Sequence, residues 1–185
     1  MTSLDFTPTL DQIKALPKAL LHDHLDGGLR PQTMIDHALA SGYTKLPSYN
    51  PAELATWFVN ACSSGTLELY LETFEHTISV MQTKEEIERI ARECVLDLAA
   101  DGVVYAEVRG APELFARKGL TIDQVIEATV EGHKQGMAEA KAAGREIRVE
   151  VLLCALRQNN FSDEVATKVV KYKGRGVVGF DIAGP

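Results

Sequence analysis

Three residues that bind metals and polar ligands recur at every second position in the run Leu-Leu-His-Asp-His-Leu-Asp-Gly-Gly at positions 20–28: His22, His24 and Asp26. Successive side chains of a β-strand point to opposite faces, so a strand here puts those three on one face and Leu21, Asp23 and Leu25 on the other. Two imidazoles sharing a face, about 6–7 Å apart at Cα, reach a single metal ion, and neutral imidazole is a good ligand for one. A His-x-His pair alone is commonplace, and most strand histidines are surface or core residues. The in-phase Asp26, the apolar approach at 19–21 and the Gly27-Gly28 pair give this one chemical weight. The two glycines predict a sharp turn at the strand's C-terminal end, where α/β folds place their chemistry.

Four short apolar segments read as strands: 19–25, 103–108, 147–153 and 177–182. The last three are rich in β-branched residues. The stretches between them carry helix signals. Pro31 suits a first helical position, and Asn50-Pro51 reads as an N-cap followed by proline. Thr83 with Glu86 and Thr121 with Gln124 read as capping boxes. Ile87, Ile90, Cys94 and Leu98 form a helical apolar stripe. A further helix opens at Ser162 or Asp163. Strand alternating with helix implies parallel crossovers. No Gly-x-Gly-x-x-Gly follows any strand, which removes the main support for a dinucleotide fold. The expected fold is therefore α/β, the N-terminal half of a (β/α)8 TIM-type barrel, with four parallel strands and a helical insert after the first. The chain stops at Pro185, directly after the fourth strand, and a whole barrel takes ~250 residues. The expectation is one incomplete domain over 1–185.

Composition narrows the partners. A formal net charge of −7 disfavours nucleic-acid backbones and anionic membranes, which require cationic surfaces, and leaves a phosphate-free nucleoside open. Cys62, Cys94 and Cys154 are widely spaced without a Cys-x-x-Cys pair, which predicts neither a disulfide framework nor a thiolate zinc site and fits a reducing, cytoplasmic setting. Residues 1–15 contain Asp5 and Asp11 and no long apolar run, so they do not read as a signal peptide. No stretch approaches the ~18 apolar residues of a membrane span.

Four motifs together resemble adenosine deaminases. They are Leu16-Pro17-Lys18 with Leu21-His22-Asp23-His24-Leu25-Asp26-Gly27 and Leu29-Arg30-Pro31-Gln32-Thr33; Gly102-Val103-Val104-Tyr105-Ala106-Glu107-Val108-Arg109 with Ala111-Pro112; Leu152-Leu153-Cys154-Ala155-Leu156-Arg157; and Val177-Val178-Gly179-Phe180-Asp181-Ile182-Ala183-Gly184. They occur in the family's order and each falls on an expected strand. The resemblance implies a Zn2+ cofactor with His22 and His24 as two of its ligands. It implies that His24 lies close to the substrate, that Asp26 hydrogen-bonds the ribose and that the Gly184 N–H donates to a purine ring nitrogen. The implied reaction is zinc-dependent hydrolytic deamination of adenosine or deoxyadenosine to inosine or deoxyinosine and ammonia, with a small-molecule purine nucleoside as partner. The family's remaining ligands and its glutamate general acid/base belong to later strands, so no catalytic residue is assigned within the chain and the isolated chain is expected to be poorly active. A related aminopurine deaminase, acting for example on adenine, is the alternative; so is an inactive fragment that serves in binding or assembly.

The other residues of note have structural expectations. Glu107 and Asp181 read as structural acids, with Arg109 and Arg157 paired to acids such as Glu107. Trp57 and Phe58 suit either a lid over the site or core packing. His37, His76 and His133 fall in helices as surface or core residues, and 171–175 reads as a solvated helix end.

Overall fold

The computed structural model describes residues 7–63 and 65–184, apart from the side chains of residues 68 and 69. Pro185, where the resemblance implies an acidic residue, lies outside them. In chain order the elements are α1 (Leu10–Ala15), β1 (Lys18–His24), a 3-10 turn (Leu25–Gly27), α2 (Pro31–Ser41), α3 (Pro51–Cys62), α4 (Leu67–Glu72), α5 (Phe74–Ser79), α6 (Lys84–Ala100), β2 (Val103–Gly110), α7 (Pro112–Phe115), α8 (Ile122–Ala142), β3 (Arg148–Leu156), α9 (Ser162–Tyr172) and β4 (Val177–Ala183). The strands pair in the order β1-β2-β3-β4, all parallel. This is the half-barrel arrangement, with α2 to α5 as the insert after β1.

Helix starts follow local chemistry. Thr83 and Thr121 each accept from the backbone N–H three residues on, while Glu86 and Gln124 reach back to the cap N–H. Each box satisfies donors that the first turn leaves unpaired. Asn50 accepts from the N–H groups of Ala52 and Glu53, with Pro51 at the first helical position. Short α1, α4, α5 and α7 carry too few residues for a periodic stripe, and the sequence reading did not find them.

The core lies between the sheet and the outer helices. Ile87, Ile90 and Val95 of α6 and Val125 and Ala128 of α8 bury against Ala106, Val108 and Val149 of the sheet. A Cβ on Gly136 of α8 would stand 2.7 Å from both the Arg92 carbonyl oxygen and the Val95 Cβ. Glycine there lets α6 and α8 pack closer than side chains allow. A second cluster joins Ile126 and Val130 to Val151, Leu153, Val165 and Tyr172. The insert has its own small core of Met34, Ile35, Leu46, Leu54 and Val80.

The structure corrects several local expectations. The strand ends at His24, so Asp26 sits in the 3-10 turn and not on the strand face. Neither Gly27 nor Gly28 has a positive φ; the short 3-10 turn, not glycine's left-handed conformations, reverses the chain. Arg109 pairs with Asp181 rather than Glu107, which instead accepts from the Tyr105 hydroxyl at 2.9 Å. At the expected solvated helix end 171–175, only Tyr172 is buried, and Lys168 and Lys171 close on Asp123 at 2.6 and 2.7 Å.

Candidate active site

The two histidines share a face because they lie two apart on β1, just after an irregularity of that strand. Leu20 pairs with Ala106 and Asp23 with Val108, so Leu21 and His22 together oppose the single residue Glu107. Such a bulge sets two successive side chains, Leu21 and His22, against one residue of the neighbouring strand. It explains why Leu21, expected on the face away from the histidines, is 58% exposed. The His22 and His24 rings stand edge-on with centroids 5.4 Å apart. His24 also leans on Phe74 at 6.2 Å.

Asp26 is carried to the same place by the 3-10 turn. Its Oδ1 lies 3.8 Å from His24 Nδ1, beyond a hydrogen bond but within charge contact. Burial pushes its carboxyl up to about 6, against the opposing pull of a backbone hydrogen bond and Arg109. It is therefore chiefly ionised at pH 7. His24 is held below the ordinary imidazole value, first by burial and then by the charges of Arg109 and His22, with Asp181 opposing.

Arg109 is the hub that the sequence reading missed. It is only 7% exposed. Its Nη1 lies 3.0 Å from His22 Nε2 and 2.9 Å from Asp181 Oδ2, and its Nη2 donates to Cys154 Sγ at 2.6 Å. One guanidinium on β2 thus touches β1, β3 and β4 near their C-terminal ends. Arginine only donates, so the nitrogen of His22 that faces it is the unprotonated one. The Asp181 contact lies off the N–H direction, and Oδ2 is buried as an ion-pair partner without a hydrogen bond; its Oδ1 accepts from the Ile182 N–H at 2.8 Å. Burial raises the Cys154 thiol, with Arg109 opposing, so it stands here as a thiol and not a thiolate. No local signal marked it: Arg109 is the residue paired with His24 in the β1–β2 register, and register is not written in either strand alone.

These groups border a cavity of about 230 Å3 whose wall includes His24, Asp26, Phe74, Arg109, Gln158 and Gly184. Gly184 comes from the end of β4, where the backbone is fixed by the Arg157 N–H donating to the Ala183 carbonyl at 2.8 Å. The structure thus gathers His24, Asp26 and Gly184 around one space, with His22 against Arg109 at its edge. A larger cavity of about 660 Å3 lies at the opposite end of the strands, beside His133, Arg148 and Gly176, and contains none of this constellation. The remaining histidines stand elsewhere. His37 Nδ1 contacts the Val80 carbonyl at 3.2 Å, and His76 contacts the Tyr43 hydroxyl at 2.9 Å. His133 is 2% exposed in α8. Trp57 packs edge-on against Phe58 and His76 at 5.0 and 5.3 Å, away from the 230 Å3 cavity. Among the described residues no group of three or more His, Cys, Asp or Glu side chains is placed to hold a metal ion, and no helix is long and apolar enough to cross a membrane.

The family model described as Adenosine deaminase matches residues 17–185. The adenosine deaminase of Mycobacterium ulcerans is 53% identical over 177 residues, covering 96% of this chain and 49% of that protein. Adenosine deaminase 1 of Streptomyces coelicolor is 53% identical over 178 residues, covering 96% of this chain and 45% of that protein. The chain spans about half the length of the curated relatives it matches. Arabidopsis ADAL, solved in complex with IMP, is 25% identical with a TM-score of 0.77, covering 95% of this chain and 52% of that one. A zinc-bound amidohydrolase of Burkholderia ambifaria shares the fold at 24% identity and a TM-score of 0.71, covering 99% of this chain and 49% of that one.

Proposed function

The chain belongs to the adenosine deaminase family, and on that premise we propose that its protein hydrolyses the 6-amino group of adenosine and deoxyadenosine, releasing ammonia and inosine or deoxyinosine. Residues 1–185 then act as one folded unit that contributes half of a barrel and part of the site. The observation that carries this reading is the convergence of His24, Asp26 and Gly184 on one cavity, with His22 5.4 Å from His24 between ring centroids.

The residues fit a zinc centre as two of its ligands. Burial disfavours the charged form of His24, whereas the Nε2 lone pair of His22 faces Arg109 and would have to turn from it to bind a metal. Neutral imidazole is the form that binds a metal. Zinc takes four ligands, so the others, like the general acid/base, belong to chain beyond residue 185. A zinc ion held by these imidazoles would supply a water of lowered pKa as the nucleophile.

The chain's own groups bind and orient. Asp26, ionised and 7% exposed, accepts a sugar hydroxyl in a place where little water competes. The Gly184 N–H, at the end of β4 on the cavity wall, donates to a ring nitrogen. Phe74, Ile78 and Leu114 line the cavity with apolar surface for the purine. Asp26 is also what favours a nucleoside over free adenine, since the base alone has no hydroxyl to offer it. The net charge of −7 and the three free cysteines suit a small-molecule partner and a cytoplasmic setting. The test incubates the full-length protein with adenosine and with adenine, follows ultraviolet absorbance and measures zinc by elemental analysis. Adenosine consumption by zinc-containing protein is expected. Consumption of adenine alone, or of neither by the zinc-loaded protein, overturns the reading.

A further inference from the structure

Gln158 stands out on the cavity wall because its surroundings are fixed and its side chain is not. It lies in the turn that follows β3. On one side the Arg157 N–H donates to the Ala183 carbonyl at 2.8 Å. On the other, Asn159 donates its Nδ2 to Glu113 Oε2 at 2.9 Å and its backbone N–H to the Leu156 carbonyl at 3.0 Å. The backbone of Gln158 is therefore clamped between anchored neighbours. Its carboxamide has no hydrogen-bond partner among the described residues, yet it borders the 230 Å3 cavity.

The carboxamide also abuts Gly184. A Cβ on Gly184 would run into it, standing 3.1 Å from Cδ and 3.3 Å from Nε2. Gly184 has φ +105°, so both its conformation and Gln158 restrict the position to glycine. The result is a pair of uncharged hydrogen-bonding groups side by side, the Gly184 N–H and a fork of one acceptor and two donors. The charged groups of the wall, His24, Asp26 and Arg109, come instead from β1 and β2 and the turn between β1 and α2.

We propose that Gln158 is a specificity-determining residue that reads the edge of the purine ring next to the Gly184 contact. This rests on the deaminase reading and deepens it. An uncharged fork matches the uncharged donor and acceptor pattern of a heterocycle, whereas the sugar hydroxyl falls to Asp26. A polar group placed to pair with a substrate edge discriminates against analogues that leave it unpaired.

The test measures kcat/KM for adenosine, 2-aminoadenosine and 2′-deoxyadenosine in the full-length protein and in its Q158L and Q158E variants. Gln158 is exposed, so both variants are expected to melt like the parent. Loss of one neutral hydrogen bond lowers kcat/KM for adenosine about 3–10-fold in Q158L. The ratio of 2-aminoadenosine to adenosine moves at least about threefold in Q158L and shifts toward the 2-amino substrate in Q158E, which keeps an acceptor but loses the amide donors. The ratio of deoxyadenosine to adenosine stays within about twofold. Base ratios unchanged in both variants, or a shift confined to the deoxy ratio, overturn the role of Gln158 while leaving the deaminase reading intact. A wild-type protein inert toward all three nucleosides removes both.

Discussion

Replacing Arg109 by methionine tests whether the guanidinium holds the strand ends together. Met fills a similar length but removes the one cation that, among the described residues, touches the carboxylate of Asp181, whose Oδ2 lies 2.9 Å away. Breaking a fully buried ion pair on one side typically costs 3–5 kcal/mol, because the surviving charge is left unpaired. The Asp181 side chain keeps 27% of its surface exposed, and water can serve that part, so the expected loss is about 2–3 kcal/mol. The lost contacts to His22 and Cys154 raise this toward about 3 kcal/mol. For a protein of this size, each kcal/mol moves Tm by roughly 2–4 °C, which gives a drop of about 6–12 °C. Thermal melts followed by circular dichroism, with guanidinium titrations beside them, measure it. The decisive variant is the double replacement R109M/D181L. If the cost lies in an orphaned charge, taking away the carboxylate as well restores most of the loss, to within about 1 kcal/mol of the parent. A single variant within about 0.5 kcal/mol of the parent, or a double variant no better than the single, refutes the argument.

Three further outcomes are expected. His133 is fully buried with no hydrogen-bond partner for either ring nitrogen among the described residues, and burial lowers it from 6.5 to about 4. Above pH 6.5 both folded and unfolded chains hold it neutral; below, only the unfolded chain takes up the proton, so stability falls by about 3 kcal/mol in total as pH drops to about 4, and an H133L variant should lose this part of the slope in pH-dependent denaturation. G136A places a methyl 2.7 Å from the Arg92 carbonyl oxygen and Val95 Cβ, so the usual helix gain of alanine is outweighed by overpacking of about 1–3 kcal/mol, read as a lowered midpoint; an unchanged or raised midpoint contradicts it. D26A should lower kcat/KM for adenosine about 10–100-fold, the worth of a hydrogen bond to a charged group, while zinc content stays unchanged; parallel loss of zinc means that Asp26 supports the metal rather than the sugar.

Local rules carried much of the fold. Thr83–Glu86 and Thr121–Gln124 close capping boxes that involve only neighbours in sequence, so the helices they start are legible without any tertiary knowledge. The His22–His24 spacing is equally local: two positions along an extended chain return to one face, and the rings meet 5.4 Å apart between centroids. Asp26 was misread because nothing in residues 20–28 distinguishes a longer strand from one that tightens into a 3-10 turn; its carboxylate still arrives within 3.8 Å of His24.

By itself, then, the amino-acid order determined the four strands, the longer helices, the parallel α/β class and the histidine pair, because periodicity and capping act within a few residues. Only the assembled sheet decided that β1 bulges against Glu107, that Arg109 reaches across to Cys154 and Asp181, and that Gln158 comes to rest against Gly184. Those contacts depend on the register between strands and on how the turns after β3 and β4 approach each other. Register is set by the packing of whole faces against α6, α8 and α9, and no single segment carries that information.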